Sequence, residues 1–70
     1  MTYDVGSIIE YSTWGGSVRR ILVEDKEDDI KNGRPGFSGK CVNPNTNKPY
    51  EQTSSNGVWG YDSQITRVIR

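Results

Sequence analysis

The feature that most constrains this chain is how short its apolar runs are. Val, Ile, Tyr and Thr gather in brief segments such as "SIIEYST", "SVRRILV" and "GVWGY", and clusters of glycine, asparagine, aspartate or proline separate them. No segment sustains an apolar period of about 3.6 residues between helix caps, so the chain reads as all-β. Strands are expected at about Gly6–Thr13, Ser17–Asp25, Phe37–Val42, Gly57–Gly60 and Ile65–Ile69. Between the first two lies Trp14-Gly15-Gly16, whose glycines can adopt the positive φ of a tight hairpin turn, which makes those strands antiparallel neighbours. In the second strand Val18, Arg20, Leu22 and Glu24 alternate with Arg19, Ile21, Val23 and Asp25, so both faces are apolar at the middle. A strand of that kind is covered on both sides, as when a small sheet bends over on itself. The segment "NPNTNKPYEQTSSNG", residues 43–57, is turn chemistry almost throughout and reads as a mobile connection.

With 70 residues there is room for one domain, spanning residues 1–70, with neither repeats nor a second unit. Such a chain buries only about 60% of the surface its unfolded form exposes, and its net stability is limited to roughly 3–5 kcal/mol. Apolar residues are 31% of the total and charged residues 26%, so the core must be thin; Trp14, Trp59 and the tyrosines keep the chain above the disordered class. Cys41 is the sole cysteine, which excludes an internal disulfide, and a buried place in a strand is its expected role. The start "MTYDVGSIIEY" has no basic region followed by an apolar run, so neither a signal peptide nor a membrane anchor is expected, and a reducing cytoplasm fits best.

Formal net charge is zero, but it is unevenly distributed. Residues 24–29, "EDKEDD", hold five acids and one lysine, whereas residues 30–70 hold six Lys/Arg against Glu51 and Asp62. The expectation is an acidic, solvated turn and a mildly basic remainder. A zero total argues against a dedicated nucleic-acid binder, because phosphate neutralisation supplies most non-specific affinity.

Several chemistries fail on residue type or spacing. "GRPGFSGKC" has five residues between Gly33 and Gly39, then Cys41 after Lys40, where a phosphate loop needs Ser or Thr opening a helix. Asp25, Glu27 and Asp29 alternate as calcium ligands do, yet Ile30 and Gly36 stand where that loop needs glycine and glutamate. One cysteine and no histidine cannot build a four-ligand zinc site, and no histidine is present to serve as a general base. No enzyme activity, metal or cofactor is expected.

"DIKNGRPGFSGK", residues 29–40, therefore reads as the far end of a long hairpin. Asn32-Gly33 suits one turn, Arg34-Pro35-Gly36 a second, and Phe37 begins the third strand. The functional reading of the same loop is that Arg34 and Phe37 stand out from it and grip a partner, since arginine and aromatics are the usual interface anchors.

Two stretches carry a resemblance. The start "VGSIIEY" is similar to the lead-in strand of SH3-like barrels, and the end "VWGYDSQITRVI" looks like a fourth strand, a short helical turn over Tyr61–Gln64 and a closing strand. Together they cover less than a third of the chain and imply a five-stranded SH3-like barrel with long polar loops. The peptide-binding members pair two tryptophans and carry Pro-x-x-Tyr; "VWG" has one tryptophan and Pro-x-x-Tyr is missing, so the barrel need not bring the proline-peptide function. The stretches "WGGSVRRILVE" and "DDIKNGRPGF" resemble small uncharacterised proteins of actinobacterial phages, which implies an accessory protein acting on a host component.

The expected function is recognition of another protein. Trp14, exposed at a hairpin tip, with Arg34 and Phe37, would make the contacts, and Tyr61 and Arg19 would stand behind them. Trp59 is expected to be half-buried. The alternative is a nucleic-acid-binding barrel that stacks bases on Trp14, Trp59 and Tyr61 and holds phosphates with Arg19, Arg20 and Arg67. An uncovered edge strand would also allow a homodimer.

Overall fold

The computed structural model describes residues 2–49 and 57–70. It is all-β: strands β1 (Ile8–Ser12), β2 (Val18–Lys31), β3 (Arg34–Cys41), β4 (Gly57–Tyr61) and β5 (Ile65–Val68) form one antiparallel sheet in the order β4-β3-β2-β1-β5. A single 3₁₀ turn, Asp62–Gln64, joins β4 to β5, where the helical turn was expected. The described strands do not close into a barrel, and β4 and β5 are the two edges. The Gln64 amide links β4 to β1 outside the ladders. Its Oε1 accepts from the Tyr61 N–H at the end of β4 (2.9 Å), and its Nε2 donates to the Ser12 carbonyl at the end of β1 (2.9 Å).

Period-two alternation places the core on one face. Ile9 lies opposite Ile21, Ile21 opposite Cys41, and Val23 opposite Gly39, which in turn faces Val58. Ile9, Tyr11, Ile21, Val23 and Phe37 form the buried cluster, with Tyr3, Cys41, Val58, Ile65 and Val68 packed against it. Ile8 and Val42 are buried outside that cluster, so apolar residues are covered on both faces of the sheet, as the double-sided pattern of the second strand implied.

Two corrections concern the β2–β3 hairpin. The acidic run at residues 24–29 is not a turn: β2 continues through it to Lys31, with those six side chains exposed. Nor does Arg34-Pro35-Gly36 turn. One two-residue turn suffices, because Asn32 (φ 58°) and Gly33 (φ 72°) are both left-handed, the geometry that matches the twist of paired strands. The Asp29 carboxylate accepts from the Gly33 N–H (2.8 Å) and locks that tip. Pairing then extends β3 back to Arg34, and a β-bulge between Val23 and Asp25 marks where β2 leaves β1 and the acidic arm, paired with β3 alone, begins.

The polar segment after β3 forms turns, as its residue types imply. Over residues 43–49 it is a hydrogen-bonded turn: the Asn43 carbonyl accepts from Asn47 N–H (2.7 Å), and Asn43 N–H donates to the Lys48 carbonyl (2.9 Å). Arg20 anchors it from β2 by donating to the Pro44 carbonyl (2.8 Å) and Asn47 Oδ1 (2.8 Å). Residues 50–56 lie outside the described residues.

Candidate functional site

The end of β4, the 3₁₀ turn, the tip of the β1–β2 hairpin and the tip of the β2–β3 hairpin meet in one surface. Ser38 pairs with Trp59 and Gly36 with Tyr61, so both rings project from the same face of β4. Trp59 and Tyr61 pack edge to face with centroids 5.4 Å apart, and Trp14 reaches over from its hairpin tip to meet Tyr61 at 6.2 Å. Tyr61 is thereby buried to 5% exposure and serves as the floor, while Trp14 (78%) and Trp59 (43%) remain open. Edge-to-face pairs add about 0.5–1.5 kcal/mol beyond area burial, which keeps such a strip in shape.

Cations lie on this strip. The Arg34 guanidinium sits 4.3 Å from the Tyr61 centroid and donates to Ser63 Oγ (3.1 Å); the Lys31 ammonium lies 5.4 Å from the Trp59 centroid. Asn32 donates to the Tyr61 hydroxyl (3.2 Å), fastening the arm's tip to the aromatic floor. Among the described residues neither Lys31 nor Arg34 forms an ion pair; the three ion pairs present lie elsewhere.

Of the residues expected to contact a partner, Trp14, Arg34 and Tyr61 are brought together, the last as support. Phe37 is not at the surface. It faces Gly60 across the strand pair, where a Cβ would stand 2.9 Å from the Phe37 ring, and its ring meets Tyr11 and Tyr3 edge-on at 5.4 Å and 6.2 Å. With 0% exposure it is the largest fully buried side chain among the described residues, and a core residue. Arg19 is exposed, on the first half of β2 opposite Tyr11. Burial pushes the Tyr11 phenol above its ordinary pKa, and the nearby Arg19 charge opposes that shift.

The arginines expected to hold phosphates do not join the aromatic strip. Arg20 is tied to Glu10 at 3.0 Å and to the turn after β3, and Arg67 reaches the same Glu10 at 3.8 Å, so one carboxylate engages both. Beside this network is a recess of about 330 Å³ lined by Glu10, Arg19, Arg20, Cys41 and Val42, on a different part of the sheet from the aromatic strip. Among the described residues, no three His, Cys, Asp or Glu side chains gather around a metal-sized space. Near the N-terminus Tyr3 donates to the Asp62 carboxylate and lies under Lys26, whose ammonium is 4.4 Å from its ring and donates to the Tyr3 carbonyl (2.7 Å). Burial first, and the Asp62 bond second, hold the Tyr3 phenol well above its ordinary range.

Lys31 was missed in the sequence reading. Its one available signal was position: it directly precedes Asn32-Gly33, and the hairpin those residues form sets it opposite Arg34. No protein-family model matches the chain, and neither a curated protein nor a solved structure matches it.

Proposed function

We propose that this chain is a non-enzymatic, cytoplasmic binding module on an SH3-like scaffold, which recognises another protein through Trp14, Trp59 and Arg34 over the Tyr61 floor. The phage resemblance of "WGGSVRRILVE" and "DDIKNGRPGF" makes it an accessory factor directed at a host component. The observation that carries this reading is Trp14: a large apolar side chain 78% exposed, held in an ordered aromatic strip instead of the core. A thin-cored protein has every reason to bury a tryptophan, and rigid exposed tryptophans beside arginine are the composition of interface hot spots. Support for the scaffold comes from the strand order, the long β2 bulged at its centre and the 3₁₀ turn before the last strand.

The test is a quantitative pull-down from an actinobacterial lysate with wild type and Trp14→Ala side by side. The expected outcome is a protein captured by wild type and lost with Trp14→Ala, while circular dichroism shows both folded. Equal capture by the two, or an unfolded variant, removes the reading. Single-stranded nucleic acid is a second reading, favoured by the cation-on-ring pairs Lys31–Trp59 and Arg34–Tyr61. It requires oligonucleotide affinity that falls steeply as salt rises, which an aromatic protein contact does not show.

A further inference from the structure

Lys31 and Arg34 are directly opposite one another across the last pair of the β2–β3 hairpin. Like charges in that position weaken a strand pair. Carboxylates are close in sequence, yet the arm does not use them to relieve the repulsion: Asp29 accepts from Gly33 N–H, Asp25 accepts from Lys26 N–H, and neither cation has an ion-pair partner among the described residues. Both cations rest on the rings of Tyr61 and Trp59. Two unneutralised cations on an ordered apolar strip form an anion site with an apolar wall.

Resting on the protein-binding reading above, we propose that this surface takes an acidic peptide segment of the partner, with an Asp or Glu carboxylate held by Arg34 and Lys31 and a neighbouring apolar or aromatic side chain laid on Trp14 and Trp59. Guanidinium and carboxylate match as a fork, and Arg34 uses only one terminal nitrogen on Ser63. The arm's own charges choose a peptide over a nucleic-acid strand. Asp25 pairs with Ser38 and Glu27 with Gly36, the same β3 residues that pair with Trp59 and Tyr61, so these acids share the face of the rings. A phosphodiester chain, charged at every residue, would run into them. An isolated carboxylate in a peptide docks at the Lys31–Arg34 end and leaves them behind.

The experiment is selection from a random displayed peptide library on immobilised wild type, on Lys31→Glu/Arg34→Glu and on Trp14→Ala, followed by titration of the enriched sequences as synthetic peptides. Wild type is expected to enrich Asp or Glu beside an aromatic or aliphatic residue, the charge-reversed protein to enrich Lys or Arg in its place, and the wild-type peptide to bind the charge-reversed protein at least about tenfold more weakly. Lys31→Glu alone should raise the melting temperature while weakening that peptide, a combination that separates a binding role from a structural one. Trp14-dependent peptides with no acidic preference overturn this inference and leave the protein-binding reading standing. A wild type that enriches no peptide overturns the inference, which specifies an extended segment, and the Trp14→Ala pull-down then decides the parent reading. Salt-sensitive oligonucleotide binding through the same residues overturns both.

Discussion

Before the bulge that follows Val23, β2 is flanked by both β1 and β3; beyond it, β2 pairs with β3 alone, and its tip is fastened by a tight turn and a bond from Asn32 to Tyr61. The two parts treat arginine in opposite ways. Arg20, below the bulge, has a carboxylate, a carbonyl and an amide oxygen as partners, and ties β1, β2 and the following turn together. Arg34, at the tip, has an aromatic ring and one hydroxyl. An arginine surrounded by acceptors is a structural fastener. One resting on an aromatic face, with a single hydroxyl as acceptor, keeps most of its donors unspent.

The largest effect expected is at Phe37, which the base and the arm share. Phe37→Ala should cost about 3–5 kcal/mol, close to the whole stability of a chain this size, so circular dichroism at room temperature should show a largely unfolded protein. A folded Phe37→Ala variant would return that residue to the surface and undo the contrast. Next is the arginine pair itself. Arg20→Ala leaves the half-buried Glu10 with only the more distant Arg67 and removes the bonds that hold the turn after β3, and should cost roughly 1.5–3 kcal/mol in denaturant melts, whereas Arg34→Ala should stay within about 0.5 kcal/mol. Equal losses at the two positions would break the comparison outright.

A pH measurement sharpens the role of the N-terminal contacts. The Tyr3 phenol ionises at 10.0 when unperturbed and is held higher in the fold by burial and by its bond to Asp62. A raised folded value favours the neutral form, so its contribution is complete below about pH 10 and is lost as the pH climbs past it. Wild type should therefore weaken as the pH rises from about 10 upward in denaturant melts, and Tyr3→Phe should weaken less; Tyr11, raised in the same direction, keeps part of the slope in both. The smallest effect has the opposite sign. Lys31→Glu replaces a like-charge pair by an ion pair with Arg34 and should stabilise the hairpin by about 0.2–1 kcal/mol. A loss of stability there would mean that the Lys31 contact with Trp59 outweighs the repulsion.

Most of the strands could be read from residue order. "IIEY", "RRILV", "VWGY" and "ITRV" are rich in β-branched or aromatic residues, and all lie in strands. Asn32-Gly33 announced its turn by chemistry alone. The outer half of β2 was not legible, because "EDKEDDIK" has no alternation and is poor in strand-formers; only its pairing with β3 keeps it extended. Phe37 was misread because Gly36 and Gly39 around it look like loop residues. In the sheet, Gly39 shares the inward face with Phe37, and Gly60 opposite gives the ring its space.

Local chemistry thus decided the all-β class and the Asn32-Gly33 turn, since each depends on residue types a few positions apart. Pairing and packing decided everything about the surface. Trp14 and Tyr61 are distant in sequence, and Lys31 and Arg34 become opposed only when two left-handed residues close the hairpin between them. Whether an arginine meets a carboxylate or a ring depends on strand register, and register is set by which apolar face the whole sheet buries.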